Sequence, residues 1–293
     1  MTNVSKITIP ELEMFGYSSI NAVKAFLLLF GYELNKLRQK YPSNSIDNIH
    51  GYKASLLEKL MHSISTYVMV IEECQDYIVA SSILRSLLDG MSVYYLIYRA
   101  DNREAILLRH YLYILDGVSK KLDIDSRHPL HQTEKITEEE YNFLAQKLSF
   151  MRDNLKEVKD LCIKRIRNLE IFHSQSKLIE RLILKCNWKF KSFEDPTGYK
   201  WSELHDLLPS KFHGIYSDFC DYLSQYVHRL SVSNIILETD NKDLYEPWSA
   251  NIVLLLNLVH ESMVNDFEVD VSFLTEGFYE SPNYRAYCSF TIN

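Results

Sequence analysis

The chain has 293 residues, of which 46% are hydrophobic and 24% charged, as in a globular protein large enough to bury a full core. Its formal net charge of -7 argues against a global field that attracts nucleic acid, and five scattered cysteines without a CxxC pair argue against disulfide or zinc scaffolds. With only 8 glycines and 7 prolines, the composition favours long helices over many short strands.

Apolar residues recur every three to four positions through most of the chain, which predicts helices. In chain order the pattern predicts helices over 21–41, 56–71, 78–99, 103–122, 137–170, 176–186, 202–208, 216–230 and 247–266. Thr137 and Glu140 form a capping-box sequence that marks the start of one of them.

The final segment has a different pattern. Its first part alternates apolar and polar residues (FEVDVSFL), and its last part is aromatic and β-branched (YRAYCSFTI), which predicts a small C-terminal β-hairpin. We therefore expect an all-α multi-helix bundle in a single domain over 1–293, with core helices over about 20–266 and a terminal extension at 267–293.

The sequence carries no sign of export or membrane insertion. No basic start followed by an apolar stretch and a cleavage site is seen, and the longest apolar runs, such as Ala25–Phe30, are far shorter than a span of about 18–20 residues. We expect a cytoplasmic protein with no membrane partner.

One predicted helix carries a polar stripe beside a core-facing seam. Within Tyr216–Leu230 the stripe includes Ser224 and His228, which are four residues apart and share a helix face. On an earlier, strongly apolar helix, Arg85 and Asp89 have the same spacing. If the two helices pack together, these four side chains form either an anion site with His228 as acid or base, or a satisfied polar junction that fixes helix register.

These two elements resemble a known family. The segments ASSILRSLLDGMSVYYLIY and YLSQYVHRLS are similar to those of largely uncharacterised bacterial helical proteins related to the HEPN superfamily, with Asp89 where Glu is more usual and Cys220 at a Tyr position. The resemblance covers about residues 50–265. It implies a helical bundle, a homodimer, and often metal-independent RNA cleavage in antiviral defence or toxin–antitoxin systems.

A second motif competes for the catalytic role. HEPN ribonucleases carry an Arg followed four to six residues later by a His, often with a polar residue after the Arg, and Arg167, Asn168 and His173 fit that pattern. Under this hypothesis His173 moves a proton and Arg167 stabilises charge on the phosphate. The other interpretation is a charged helix end.

Metal and cofactor motifs are not found. Glu170 and His173 make one Glu-x-x-His unit where di-iron bundles use two, and no HExxH, GxGxxG, Walker A or GxSxG sequence occurs. We expect no metal and no cofactor. Three hypotheses stay open: a ribonuclease acting on RNA, a non-catalytic interaction module that binds a protein partner in a defence or regulatory complex, and a sensor of a small anion.

Overall fold

The computed structural model of the protein describes residues 18–42, 45–100, 102–209, 215–227 and 242–290. Its regular elements in these ranges are helices, with one isolated β-bridge between Phe190 and Gly198. The all-α prediction is therefore confirmed. The helices are α1 (Ser19–Lys40), α2 (Ile49–Met69), α3 (Tyr77–Tyr98), α4 (Arg103–Arg127), α5 (Glu138–Arg167), α6 (Glu170–Lys185), α7 (Trp201–His205), α8 (Ile215–Val227), α9 (Lys242–Asn265), α10 (Val271–Thr275) and α11 (Pro282–Phe290).

The chain divides into two compact units. The discontinuous unit comprises Met1–Tyr95 and Trp201–Asn293, and the inserted unit comprises Leu96–Lys200. The sequence-based prediction that residues 1–293 form a single domain stays a prediction.

Helix α1 is the centre of the discontinuous unit. It packs against α2, α9, α10 and α11. Its buried residues recur every three to four positions, which gives the helix a continuous apolar face: Ala22, Val23, Ala25, Phe26, Phe30, Leu34 and Leu37. Burial of that face against four helices supplies the hydrophobic stabilisation of this unit.

The inserted unit is built from α4, α5 and α6, each of which contacts the other two. The capping box predicted at the start of α5 is confirmed. The Thr137 hydroxyl accepts a hydrogen bond from the Glu140 amide at 3.3 Å, and the Glu140 carboxylate accepts one from the Thr137 amide at 2.9 Å. The predicted helix therefore begins as expected and ends at Arg167.

The C-terminal hairpin prediction is wrong, because Val271–Thr275 and Pro282–Phe290 are helical. A β-hairpin must satisfy its amide groups across two strands, whereas here the amides of Phe273 and Leu274 donate to the Asp270 carbonyl within one turn. The aromatic residues that suggested strands instead surround Phe278, whose ring centroid lies 5.8 Å from that of Tyr284 and 5.7 Å from that of Tyr287.

Candidate functional site

Helix α3 presents Arg85 and Asp89 on one face, since they are one helical turn apart. Arg85 Nη1 pairs with Asp89 Oδ1, and both side chains are partly exposed, at 20% and 32%. The surrounding positions Leu84, Leu87 and Leu88 are buried. The apolar face of α3 therefore fixes the direction in which this ion pair points.

Helix α8 brings Ser224 to the same guanidinium. Arg85 Nε donates to Ser224 Oγ at 3.3 Å, and the Ser224 hydroxyl donates to the Cys220 carbonyl one turn earlier at 2.8 Å. The serine thus uses its proton within its own helix and offers a lone pair to Arg85. Arg85, Asp89 and Ser224, which the sequence analysis grouped, lie together in the structure.

His205 is a fourth member that the sequence analysis did not select. It ends the short helix α7, is only 2% exposed, and places Nε2 at 2.8 Å from Asp89 Oδ1 and 2.9 Å from Arg85 Nη1. Because a guanidinium only donates, the arrangement that satisfies all three groups has both Nε2–H and Nη1–H donating to Asp89. His205 and Arg85 therefore share one carboxylate oxygen.

The second nitrogen of His205 is buried and has no hydrogen-bond partner among the described residues. As an unprotonated lone pair it costs less than a buried N–H donor would, so the Nε2–H tautomer fits this environment. The Nδ1 atom of His205 is buried, and its Nε2 atom is hydrogen-bonded to Asp89. It acts here as a positioning residue and is not open to a substrate.

The thiol beside this cluster is inert at neutral pH. Cys220 is fully buried, and burial raises the pKa of its thiol to about 12, although the nearby Arg85 charge acts in the opposite direction. Since the thiolate is the reactive form of cysteine, Cys220 is not a nucleophile under these conditions.

The arrangement leaves one part of Arg85 available. Its Nε bonds Ser224, its Nη1 meets Asp89 and His205, and the guanidinium also forms a side-chain hydrogen bond with Cys220, while 20% of the side chain stays exposed. A guanidinium that is already oriented by three neighbours binds a phosphate or carboxylate oxygen with little further ordering. The exposed part of the Arg85 side chain can therefore pair with an anion.

The predicted catalytic residue His228 lies outside the described residues. It follows Ser224 by four positions in the sequence, and α8 ends at Val227. Its catalytic role stays a prediction.

The competing motif is spread over two helices. Arg167 ends α5 and His173 lies in the first turns of α6, with the exposed Asn168 between them. Arg167 Nε and Nη2 donate to the two Glu180 oxygens at 2.8 and 3.2 Å, and this pairing raises the pKa of the guanidinium. His173 is exposed and has no hydrogen bond within the part of the chain that is described.

A hydrogen bond between a buried glutamate and a histidine joins α1 to α9. Glu33 is fully buried, its Oε2 lies 2.7 Å from His260 Nδ1, and the imidazole stacks on Phe30 with ring centroids 4.7 Å apart. The other Glu33 oxygen is buried and lacks a hydrogen-bond partner among the described residues. Sequence analysis missed this pair because its members are 227 positions apart.

Within the described ranges, no group of three or more His, Cys, Asp or Glu side chains is placed to bind a metal ion. No helix in the same ranges combines the length and apolar character that crossing a membrane requires.

Comparison with known proteins gives no match, whether to a protein-family model, to a curated protein or to a solved structure.

Proposed function

We propose that this protein is a HEPN-like ribonuclease of bacterial defence or toxin type that cuts RNA without a metal ion. The observation that carries the proposal is the geometry of Arg85, which Asp89, His205 and Ser224 orient while 20% of its side chain stays exposed. The two sequence elements that resemble HEPN-related proteins are the ones that supply Arg85 and Ser224. The all-α fold class also agrees with the helical bundle that this resemblance implies.

In the proposed reaction, a ribose 2′-hydroxyl attacks the adjacent phosphorus. His228 takes the hydroxyl proton, the O2′–P bond forms, and the P–O5′ bond breaks as the 5′-oxygen accepts a proton from water or from the protonated imidazole. The products are a 2′,3′-cyclic phosphate and a 5′-hydroxyl end. Arg85 stabilises the negative charge that builds up on the phosphate oxygens.

The test uses the full chain, a fluorescent single-stranded RNA and buffer containing EDTA. We expect His228→Ala to lower the cleavage rate about 10²–10⁴-fold, the usual contribution of an acid–base residue, and Arg85→Gln to lower it as well. His131→Ala, an exposed histidine in the inserted unit, is the matched control and should cleave normally.

His173→Ala is measured in parallel. If it abolishes cleavage while His228→Ala does not, the Arg85 site is the wrong assignment and the Arg167 motif takes its place. If the wild-type chain cleaves no RNA, or if neither histidine variant loses activity, the ribonuclease proposal is overturned.

A second function is favoured by a different observation, an apolar stripe on α5. Phe143, Leu144, Phe150 and Met151 are 55%, 39%, 68% and 48% exposed, and the two pairs are one heptad apart. Apolar side chains at heptad spacing are typical of a helix that packs against another helix. In this alternative the protein is a non-catalytic interaction module that forms a homodimer through α5.

The mass of the chain in solution tests the alternative. We expect a dimer by sedimentation velocity and a monomer for Phe143→Ser combined with Phe150→Ser, because both rings are exposed and their loss leaves the core intact. Leu184→Ser, which removes an isolated side chain that is 84% exposed, should stay dimeric. A wild-type monomer contradicts the homodimer.

A further inference from the structure

A groove in the inserted unit lies between the end of α4 and the second half of α5. It has a volume of about 660 Å³, and Pro129 is among its lining residues. This volume is in the range of about 300–1,000 Å³ that small-ligand sites occupy. Neither the Arg85 cluster nor the α5 stripe contributes to it.

Three cations from one face of α5 line this groove. Arg152, Lys156 and Lys159 are spaced four and three residues apart, so their side chains lie along one side of the helix. At a rise of about 1.5 Å per residue they extend over roughly 10 Å of the groove. At 3.6 residues per turn, Phe143 and Phe150 of the α5 stripe lie on the opposite side of the helix from these cations, and Leu144 and Met151 lie about a quarter turn away.

Two of the three cations lack a partner among the described residues. Lys156 pairs with Asp153 at 3.1 Å, whereas no ion pair or hydrogen bond of Arg152 or Lys159 to any described residue is seen. Both side chains are half-buried, so part of their surface is removed from water without a compensating anion. Donors held in this way create a site for anionic oxygens.

The carboxylates that line the groove offset this charge only in part. Asp125 already accepts from Lys121 at 2.7 Å, which leaves Asp160 as the carboxylate without an ion pair in the described ranges. Arg152 and Lys159 therefore outnumber the free acidic groups. The surplus of positive charge favours an anion that presents several oxygens over one that presents a single carboxylate.

We propose that the α4–α5 groove binds the phosphate groups of a ligand, with oxygens accepting from Arg152, Lys156 and Lys159. The two sources of this chemistry are a small phosphorylated molecule and the backbone of a nucleic-acid strand. The site uses none of the residues of the proposed ribonuclease centre, so either can fail without the other.

The experiment measures binding of two probes to the full chain at low salt. Sodium pyrophosphate, followed by calorimetry, represents the small ligand. A labelled ten-nucleotide oligodeoxythymidine, followed by fluorescence anisotropy, represents the strand and carries no 2′-hydroxyl for cleavage. We expect binding of at least one probe to weaken about 100-fold in Arg152→Gln combined with Lys159→Gln, since one charge-assisted hydrogen bond contributes about tenfold.

The matched control removes the same charge from the same helix outside the groove, by Lys147→Gln combined with Lys164→Gln. It should change affinity less than about threefold, with both double variants retaining wild-type circular dichroism. Binding of pyrophosphate identifies a small-ligand site, and binding of the oligonucleotide alone identifies a strand site. Binding of neither probe, or equal loss in both double variants, overturns the proposal.

Discussion

Arg85 is an example of a partly buried charged side chain that is paired with polar neighbours. A guanidinium that is 20% exposed would be costly to bury alone, and here a carboxylate and a hydroxyl accept its hydrogen bonds while the His205 ring lies beside it. Asp89 is central because its Oδ1 accepts from both Arg85 and His205. Loss of this one oxygen leaves two donors unsatisfied.

We therefore expect Asp89→Asn to destabilise the protein by about 1–3 kcal/mol, because the hydrogen bonds at Oδ1 lose the negative charge that strengthens them. The amide keeps the shape of the carboxylate but supplies a neutral acceptor, so Arg85 loses its counter-charge. The measurement is the free energy of unfolding from urea titration.

Asp123→Asn is the control for this substitution. It breaks an exposed pair with Arg127 in which both side chains are 62% exposed, and exposed pairs contribute little. A change of at most about 0.5 kcal/mol is expected. Equal losses for the two variants would show that the Asp89 carboxylate does not hold the cluster.

Part of this site could be read from the sequence and part could not. The four-residue spacing of Arg85 and Asp89 places both on one face of α3, and the polar stripe of α8 contains Ser224. The three side chains come together because α3 and α8 lie close to each other. His205 occurs between the apolar residues Leu204 and Leu208 and resembles an ordinary core position. Nothing local in the sequence identifies its partner, which lies 116 residues away.

At the scale of elements, local signals predicted helix starts well and the C-terminal segment poorly. The start of α5 depends on side chains within one turn of each other, which the sequence contains in full. The conformation of Phe267–Phe290 depends instead on what it packs against. Phe278 contacts Tyr32 of α1 with ring centroids 5.5 Å apart, a contact that alternation along the chain does not encode.

Gly277 makes the docking of this C-terminal segment possible. Its φ of 79° lies in the left-handed region, and an added Cβ would come within 2.9 Å of the Tyr32 hydroxyl. That hydroxyl donates to the Glu276 carbonyl at 2.8 Å. Gly277→Ala should therefore cost about 1–3 kcal/mol of stability and raise hydrogen exchange in α10 and α11.

Gly31→Ala is the matched control for Gly277. It lies within α1, where an added methyl group meets no atom within 4 Å. Alanine has the higher helix propensity, so this variant should be more stable than wild type by about 0.5–1 kcal/mol. Two substitutions of the same type should thus shift stability in opposite directions. A neutral Gly277→Ala would mean that the left-handed turn is not required.

For the whole molecule, the low glycine and proline content and the helical periodicity were sufficient to predict the all-α class. Periodicity reports which face of each helix is buried and not which helix covers it, so it does not define the two units. Arg109 is an example: its buried guanidinium donates to the carbonyls of Phe190 and Lys191 at 3.1 and 2.9 Å. No sequence motif around Arg109 predicts that Phe190 and Lys191 are its partners.

Several buried thiol and phenol groups make the stability of the folded protein depend on pH. Burial raises the pKa of Cys220 from 9.0 to about 12 and that of Tyr245 from 10.0 to about 12, and it also raises the pKa values of Tyr67 and Tyr226. Above pH 9 the unfolded chain releases protons that the folded chain keeps. The folded state then binds more protons, so stability falls as pH rises.

We expect the contribution of Cys220 to be fully present below pH 9 and to be lost between pH 9 and about 12, with Tyr245 adding to the loss above pH 10. One such group changes the free energy of unfolding by at most about 1.4 kcal/mol per pH unit. The measurement is the urea midpoint at pH 7.5, 9.0 and 10.5.

Cys220→Ala separates the titration from packing. The cavity it leaves lowers stability equally at every pH, while loss of the thiol flattens the fall between pH 9 and 10.5. Cys74→Ala removes an exposed thiol instead of a buried one and is the matched control, for which the wild-type slope is expected. If Cys220→Ala and wild type decline with the same slope, the buried thiol is not a source of the alkaline instability.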